Sequence, residues 1–435
     1  MKSLLDWLDH RTGCRRLVAA LLYENIPGGA RWRYVWGSTL VFTFMVQVVT
    51  GLVLWMGYSP STQTAWESVY YLDHFMTLGW LLRSVHHYAA QLMVVLLVVH
   101  LIQVVIDKAY RAPREINFWI GLVLMQIILG LALTGYLLPW DEKGYWATKV
   151  ATEIAGSVGD AVPALAVGGP EYGHHTLTRF FALHAGILPA LLVLFLVIHL
   201  ALFRRHGITA RLGPHPPRPN ETFWPGQVLK DGLACLLVLG IIVGLSVWRP
   251  AELMAPADPA ENYSAARPEW YFLFLFQFLK FFPGEQGKLL GAIVIPGAVM
   301  LLFFLMPLLG RSRVGHAFNV LVLTVVLGGA GVLTVLAWHE DYYAQLTDEA
   351  EFRELLDAQE AIAAAVRKRG PQSDYFGKDP LAQLQMHYQQ DPQKAAAISQ
   401  LYARYRKYQK SADFLAAVAE AEENAARAVA LASRP

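Results

Sequence analysis

Four histidines lie in two pairs on long apolar stretches of the sequence. His86 and His100 are 14 residues apart, and His184 and His199 are 15 residues apart. On an α-helix both spacings return to nearly the same face, about 21 to 22 Å apart along the axis. Two such helices that face each other could hold two flat cofactors, one near each side of a bilayer. The pattern predicts two haem irons, each bound by two imidazoles, that carry electrons across a membrane.

The order of the histidines along the chain predicts which of them share an iron. If successive apolar stretches alternate in direction, the second and fourth run the same way, so we expect His86 to pair with His184 and His100 with His199. An iron with two imidazole ligands has no open position, so it would pass single electrons and would not bind oxygen. A buried histidine that only bridges two helices is the simpler interpretation of one membrane histidine, but two pairs at matching spacing favour ligands.

Four glycines recur at a similar interval on neighbouring stretches. Gly37 and Gly51 are 14 residues apart in the first apolar stretch, and Gly121 and Gly135 are 14 residues apart in the third. A porphyrin can approach a backbone that carries no Cβ, although small residues also mediate ordinary helix packing in membranes. The shared interval favours the cofactor. Arg83, at the predicted membrane edge, is expected to hold a haem propionate, with an interfacial charge as the simpler alternative.

Seven stretches are long and apolar enough to cross a membrane. The chain has 435 residues, of which 55% are hydrophobic and 16% charged, whereas about a quarter are charged in an ordinary soluble domain. The stretches without Asp, Glu, Lys or Arg are 34–57, 84–106, 116–140, 180–203, 232–248, 289–310 and 317–339. Most exceed the roughly 20 residues that a spanning helix needs. We therefore predict an all-α integral membrane protein, because the segments of a β-barrel would be about 10 residues of alternating character.

Charge and cysteine content bound the location. Basic residues follow the second and fourth predicted helices, separate the last two and recur in the first 33 residues, whereas the opposite loops are richer in acids. The positive-inside rule then places the N-terminus in the cytoplasm and, after seven crossings, the C-terminus outside.

Cys14 and Cys235 are expected to stay unpaired. The sequence has no Cys-x-x-Cys-His motif, so no ordinary c-type haem is expected.

Composition divides the chain into four predicted parts. A Pro-rich linker begins near residue 213, and the sequence becomes polar, Ala-rich and charge-mixed after residue 340. The parts are a cytoplasmic surface helix at 1–33, a four-helix dihaem bundle at 34–212, a three-helix domain at 213–340, and a polar helical extension on the periplasmic side at 341–435. The amphipathic character of the first part predicts that it lies on the membrane surface.

Several motifs together resemble one known family. They read GWLLRSVH at 79–86, GYLLPW at 135–140, TLTRFFALH at 176–184 and PEWY at 268–271. They resemble the cytochrome b subunit of the cytochrome bc complexes, the quinol–cytochrome c oxidoreductases, over about residues 20–340. The resemblance implies two non-covalent b-type haems, with His86, His184, His100 and His199 as the four ligands of their irons.

Other details resemble the photosynthetic branch of that family. They are the 15-residue spacing of the second histidine pair, the stretch PWDEKGYW at 139–146, and Arg204 five residues after His199. Seven helices would correspond to a cytochrome b of this branch fused to its subunit IV. That branch attaches an extra haem through a cysteine near the start of the first helix, and residues 33–37 contain none, so no extra haem is expected.

The resemblance implies a quinol-oxidising site on the outer side. Oxidation of a quinol releases two protons and two electrons, and Glu269 is the predicted proton acceptor, with Tyr136 and Tyr271 as neighbours. Without the resemblance, Glu269 would be an acid favoured by the dipole at a helix start. The first electron is expected to pass to a Rieske iron–sulfur protein, because this chain lacks the ligands for such a cluster. The second is expected to pass through the outer haem to the inner one.

The resemblance also implies a quinone-reducing site on the cytoplasmic side. Lys230 and Asp231 stand where the fifth helix is predicted to begin, and Arg204 and His206 stand where the fourth is predicted to end. These residues are expected to bind the quinone and to deliver protons to it. Taken alone, a Lys–Asp pair at a membrane edge is usually an interfacial anchor.

The resulting hypothesis is a dihaem cytochrome b that contributes to proton translocation in a bacterial cytoplasmic membrane. Its expected partners are the Rieske protein, a c-type cytochrome subunit, quinone, lipid and a second copy of the chain, with no nucleic acid. Two alternatives remain. One is a dihaem anchor that relays electrons between quinone and a dehydrogenase, which would not need the PEWY loop or the second helical block. The other is a haem-free transporter that uses its histidines as a proton relay.

Overall fold

The computed structural model describes residues 2–156, 159, 161–169, 171–209, 219–259 and 267–340. Internal contacts divide the chain into two units: Met1–Asn262 with Ala266–Leu333, and Tyr263–Ala265 with Thr334–Pro435. The first unit contains every predicted site residue. The predicted extension at 341–435 and residues 213–218 of the predicted linker lie outside the described residues.

Seven helices are long and apolar enough to cross a membrane within the described ranges. They are Trp32–Gly57, Gly79–Ile106, Glu115–Tyr136, His174–His206, Gly226–Trp248, Gln286–Leu309 and Arg313–Glu340, termed here the first to seventh spanning helices. Their number agrees with the seven charge-free stretches, and the all-α membrane fold is confirmed. Charged residues stand mainly at or near the ends of these helices, where they can reach water.

Shorter elements connect the spanning helices. The helices are Lys2–Thr12, Cys14–Leu22, Ala65–His74, Glu142–Gly156, Ala161–Val167 and Trp270–Leu279. The helix Gly284–Leu289 continues directly into the sixth spanning helix. Two-residue strands, Asn25–Ile26 and Glu221–Thr222, pair antiparallel and join the N-terminal segment to the segment before the fifth spanning helix. Gly13, with φ of 63°, separates the first two helices, and leucines such as Leu4 and Leu17 are about 60% exposed on them. Exposed leucines on short helices are typical of a segment that lies in a membrane interface.

The first four spanning helices pack around an apolar cluster. Its buried members are Phe44, Met93, Leu97, Leu124, Ile127, Ile128 and Leu192. On each helix these residues lie roughly halfway between the two predicted site residues, for example between His86 and His100 on the second. The cluster therefore fills the middle of the bundle and separates the two histidine levels with close-packed side chains.

A π-helical turn explains the unequal histidine spacing. The second spanning helix is α-helical throughout, whereas the fourth contains a π-helical turn at Ala182–Ile187, which includes His184. Fifteen residues of regular α-helix would turn about 60° beyond four full turns. A π-helical turn is wider and takes up one additional residue. The 15-residue spacing of the fourth helix therefore becomes equivalent to the 14-residue spacing of the second.

Candidate functional site

Each of the four predicted glycines faces a different predicted histidine. A Cβ atom added to each glycine would lie beside the Cε1 atom of one imidazole. At the predicted outer level the distance would be 3.2 Å between Gly51 and His86 and 2.5 Å between Gly135 and His184. At the predicted inner level it would be 3.8 Å between Gly37 and His100 and 3.4 Å between Gly121 and His199. The first and third spanning helices therefore flank the histidines of the second and fourth. Glycine is required most strictly where the clearance is smallest.

The histidines meet in the predicted outer pair. The ring centroids of His86 and His184 are 6.3 Å apart, with an angle of 71° between the ring planes. Two metal–imidazole bonds of about 2.0–2.1 Å each, together with the distance from each nitrogen to the centre of its own ring, span a similar length. This separation fits one metal ion between the two imidazoles. At the inner level, His100 lies beside Gly37 and His199 lies beside Gly121.

Hydrogen bonds orient the imidazoles. Nδ1 of His184 lies 3.0 Å from the carbonyl oxygen of Leu131, and Nδ1 of His199 lies 3.1 Å from that of Asn117. Because a carbonyl only accepts, each Nδ1 must carry the proton and donate it. This tautomer leaves the lone pair of Nε2 free to bind a metal, and such Nδ1 contacts are typical of metal-binding histidines.

His86 has the same arrangement through a hydroxyl group. Oγ1 of Thr50 lies 2.9 Å from Nδ1 of His86 and donates its own proton to the carbonyl oxygen of Val46 at 2.7 Å. The hydroxyl oxygen therefore accepts from Nδ1, and Nε2 of His86 is again left free. Gln47 also fixes this turn, since its Nε2 donates to the carbonyl oxygen of His86 at 2.8 Å.

These residues fit a haem with two axial imidazoles. The donor set is neutral nitrogen from four histidines in two facing sets, which suits an iron that transfers single electrons. Glycines stand where a side chain would fill the space beside each imidazole. The assignment of these four histidines and four glycines to haem remains a prediction that the geometry supports.

Arg83 has protein partners in the structure. Its guanidinium contacts both carboxylate oxygens of Asp73 at 2.7 Å, and it donates to the carbonyl oxygens of Ala251 and Glu252. Arg83 thus ties a surface helix to the loop after the fifth spanning helix. Its predicted contact with a haem propionate remains a prediction.

Glu269 lies in a polar cluster at the end of the bundle that is predicted to face outwards. It immediately precedes the helix Trp270–Leu279, and its side chain is 13% exposed. Oε1 accepts a hydrogen bond from Nζ of Lys143 at 3.3 Å, and Oε2 accepts one from Nε2 of Gln91 at 3.4 Å. A carboxylate with little access to water is thereby given one cationic and one neutral donor.

The two predicted tyrosines lie near this cluster. The hydroxyl of Tyr136 donates to the carbonyl oxygen of Arg267 at 3.3 Å, and Nζ of Lys143 lies 5.7 Å from the Tyr136 ring centroid. Tyr271 stands two residues beyond Glu269 and is partly buried. Desolvation raises the pKa of Tyr271, so its phenol stays protonated. Polar groups suited to bind an oxygen-bearing substrate therefore converge near Glu269.

Three of the four predicted inner-site residues bond to other protein groups. Arg204 forms an ion pair with Glu24, and Oδ1 of Asp231 accepts from Nε2 of Gln227 at 2.8 Å. Lys230 precedes Asp231 on the fifth spanning helix, about 100° away around its axis. The carbonyl oxygen of His206 accepts from Arg114 at 2.8 Å. These residues stay predictions for quinone binding, and the structure adds Glu24 and Gln227 to that end of the bundle.

The sequence interpretation missed Gln91, Lys143 and Thr50. It also missed Thr134, whose Oγ1 lies 3.3 Å from Nδ1 of His184. Lys143 lies inside the motif at 139–146, so it could have been singled out as a charge close to a functional loop. Gln91 is an isolated polar residue in an apolar helix, five residues after His86, which is also a recognisable signal. The threonines gave no signal, because threonine is common in membrane helices and commonly bonds to its own helix backbone.

Comparisons with known proteins agree with this architecture. Residues 91–256 match a family model described as "Cytochrome b(N-terminal)/b6/petB". Residues 256–342 match one described as "Cytochrome b(C-terminal)/b6/petD". A cytochrome bc complex cytochrome b subunit of Chlorobaculum thiosulfatiphilum is 35% identical over 327 residues, which are 72% of this chain and 76% of that protein.

Two further similarities cover different parts of the chain. A menaquinol:cytochrome c reductase cytochrome b subunit of Geobacillus thermodenitrificans is 37% identical over 223 residues, which are 49% of this chain and all of that protein. A chain of a hyperthermophilic respiratory complex III has a TM-score of 0.66 and 28% identity, covering 77% of this chain and 91% of that one. The chain therefore belongs to the cytochrome b family, the membrane subunits of the cytochrome bc complexes, which are quinol–cytochrome c oxidoreductases.

Proposed function

We propose that this chain holds two b-type haems and passes electrons between an outer quinol-oxidising site and an inner quinone-reducing site. The observation that carries the proposal is the repeated arrangement of one glycine facing each histidine at two levels of one four-helix bundle. Each haem, when bound, would supply one-electron transfer at its iron. His86 and His184 would hold the outer haem, and His100 and His199 the inner one.

In this proposal the protein isolates the two cofactors from each other and from water. The apolar cluster around Met93 and Leu192 fills the space between the two histidine levels. The imidazoles of His86, His184 and His199 are fixed by hydrogen bonds at Nδ1, so their free nitrogens are preorganised towards the iron and need little rearrangement on binding. Residues 34–212 would form the dihaem domain, and residues 213–340 would complete the quinol site with Glu269.

Glu269 would accept a proton from quinol at the outer site. A quinol hydroxyl placed against the free lone pairs of its carboxylate can transfer a proton over one hydrogen bond. Tyr136 and Tyr271 would orient the substrate. At the inner site, Arg204, Lys230, Asp231 and His206 would bind the quinone and supply its protons. Uptake on one side and release on the other would contribute to proton translocation.

The proposal includes the partners that the chemistry needs. The first electron from quinol would pass to a Rieske iron–sulfur protein, and a c-type cytochrome subunit would accept it next. The fourth spanning helix has only 6% of its most apolar stretch buried, which leaves a long apolar face for lipid or for a second copy in a homodimer. We place the chain in a bacterial cytoplasmic membrane, with the N-terminal helices on the cytoplasmic surface and the C-terminus on the periplasmic side.

The test uses the assembled complex purified in mild detergent. We expect reduced b-type haem bands with two haems per chain, and quinol–cytochrome c reductase activity. Glu269→Gln should lower kcat by about 10² to 10⁴, as expected for the loss of a general base, with the haem content unchanged. Glu67→Gln, an exposed acid on an outer-side surface helix, is the control and should retain full activity.

Two results would overturn the proposal. Absence of protohaem from the intact complex would remove the electron path. Full activity of Glu269→Gln would remove the assignment of the proton acceptor while leaving the haem assignment standing.

A further inference from the structure

We infer that Lys143 and Gln91 are positioning residues that hold the carboxylate of Glu269 in its proton-accepting orientation and return it there after each turnover. The inference rests on the proposed function, since it concerns the same outer site. Neither residue was singled out from the sequence. Both are identified here by their contacts with the two oxygens of one carboxylate.

Three separate elements converge on this carboxylate. Lys143 comes from the outer helix Glu142–Gly156, and Gln91 comes from the second spanning helix. Glu269 itself comes from the start of the helix Trp270–Leu279. Contacts between elements so distant in sequence fix the carboxylate relative to the whole outer face of the bundle. A local capping contact would fix it only relative to its own helix.

The indole of Trp270 fixes the orientation of the Gln91 amide. Nε1 of Trp270 can only donate a hydrogen bond, and it lies 2.7 Å from Oε1 of Gln91. Nε2 of Gln91 must then point the other way, towards Oε2 of Glu269 and towards Nε2 of His87 at 2.7 Å. A rotated amide would place two donors against each other at Trp270. Gln91 therefore always presents a donor to Glu269.

Lys143 supplies the positive partner and stands nearer to water. Its side chain is 40% exposed, compared with 13% for Glu269. It also lies near the Tyr136 ring, so it borders two of the residues proposed to face the substrate. A lysine in this position attracts the carboxylate only while the carboxylate is negatively charged.

This charge dependence gives the pair a role in turnover. When a quinol hydroxyl transfers its proton to Glu269, the O–H bond of quinol breaks and an O–H bond on the carboxyl group forms. This step moves one proton and no electron, because the quinol oxygen keeps the electron pair of the broken O–H bond. The neutral carboxyl group is then no longer attracted to Lys143 by its charge. The group is free to turn to the exposed side and release the proton to water, after which Lys143 draws the carboxylate back.

The test compares two substitutions of Lys143 in the assembled complex. Lys143→Met removes the charge at similar length, and Lys143→Arg retains it. We expect Lys143→Met to lower kcat about tenfold with KM for quinol changed less than about twofold, because an orientation is lost and substrate binding is not. Lys143→Arg should keep at least about half of the wild-type kcat. Haem content and subunit composition should match the wild type in both variants.

Two further variants separate positioning from plain stability. In a Glu269→Gln background, Lys143→Met should lower the residual rate no further, because the carboxylate that it positions is absent. Gln91→Leu should lower kcat in the same direction as Lys143→Met. Lys149→Met is the matched control: Lys149 lies on the same outer helix with its ammonium 4.6 Å from the Trp146 ring centroid, and this variant should keep the wild-type kcat.

The outcomes distinguish this inference from the proposed function. Wild-type kcat in Lys143→Met, or an arginine variant as impaired as the methionine variant, would overturn the inference. An equal further loss in the Glu269→Gln background would do the same, since it would show that Lys143 acts independently of Glu269. An inactive wild-type complex, or a fully active Glu269→Gln single variant, would instead contradict the proposed function.

Discussion

The outer and inner histidine pairs use the same residue types but differ in how closely the glycine helices approach them. A Cβ on Gly51 or Gly135 would lie 3.2 or 2.5 Å from the outer imidazoles, whereas one on Gly37 or Gly121 would lie 3.8 or 3.4 Å from the inner ones. The outer pair therefore has little free space around it, and the inner pair has ordinary van der Waals clearance. We expect the two sites to tolerate change differently although their sequence motifs are nearly identical.

The outer pair is also more tightly held by loops. Residues 249–257, termed here the outer strap, bond to the start of the second spanning helix through their backbone. The amide of Ala251 donates to Ser84 Oγ at 2.9 Å, and the carbonyl of Arg249 accepts from the Tyr88 hydroxyl at 2.6 Å. Because the strap makes these bonds with its backbone, they do not depend on the side chains of the strap itself. The strap therefore holds the start of the second spanning helix, and with it His86, in place.

The largest expected effect comes from removing one histidine at either level. His184→Leu and His199→Leu should each halve the haem bound per chain, because an iron with one axial imidazole loses half of its protein ligands. The measurement is haem content with a redox titration of each purified complex. A redox titration of the wild type should resolve two midpoint potentials, one for each haem, and each variant should lose a different one. Loss of the same midpoint potential from both variants would contradict the assignment of His184 and His199 to separate sites.

The second prediction addresses the difference in clearance directly. Gly135→Ala should destabilise the outer site by about 1–3 kcal/mol, because the new Cβ overpacks against the imidazole of His184. Gly37→Ala should destabilise the inner site less, because a Cβ there would lie 3.8 Å from the imidazole of His100 and because alanine favours a helix by up to about 1 kcal/mol over glycine. Thermal unfolding of the two complexes, followed by haem absorbance, makes the comparison. Equal effects of the two variants would show that clearance does not distinguish the sites.

The third prediction concerns the hydrogen bond at Nδ1 of an outer ligand. Thr50→Val keeps the shape of the side chain but removes the hydroxyl that accepts from His86, a loss of about 1 kcal/mol. A weaker bond at Nδ1 makes the imidazole a poorer donor to iron, so the midpoint potential of the outer haem should rise, by about 40 mV for a one-electron couple. The inner haem should not change. A redox titration that finds both potentials unchanged would exclude this role for Thr50.

Much of this arrangement could be predicted from the sequence, because it depends on spacing within single helices. The length of the stretches without charged residues predicted the seven spanning helices. The interval between His86 and His100 predicted that the histidines lie at two levels of the bundle. The π-helical turn at His184 could not be predicted, since it arises where one additional residue must be accommodated in a packed helix.

The partners of Glu269 were equally inaccessible to sequence reasoning. Gln91 lies 178 residues away along the chain, and Lys143 lies 126 residues away. Only the folded arrangement of three elements brings them to one carboxylate. Spacing within a helix therefore predicted which residues bind, whereas the contacts that orient them depend on loops whose paths the sequence does not specify.

The smallest expected effect concerns a buried acid that joins the outer strap to the loop after the third spanning helix. Oδ1 of Asp141 accepts from the amide of Gly144 at 2.8 Å, and Oδ2 accepts from the amide of Met254 at 3.2 Å. Burial raises the pKa of Asp141 above its usual value despite these two donors. The inner end differs, because Asp107 there forms an ion pair with Arg33.

The raised pKa of Asp141 fixes the sign of a pH dependence. The folded protein binds this proton more tightly than the unfolded chain, so the contribution to stability is complete below the unfolded pKa of about 3.9 and is lost as pH rises through the folded value. Asp141→Asn cannot ionise, and it costs about 1 kcal/mol at low pH because one acceptor is lost. The unfolding temperature of the variant should therefore approach that of the wild type as pH rises. Glu153→Gln is the control, because this carboxylate lies at an exposed position and not in a buried one. For Asp141→Asn, a difference in unfolding temperature that widens with pH would mean that the two amide donors stabilise the buried carboxylate more than burial penalises it.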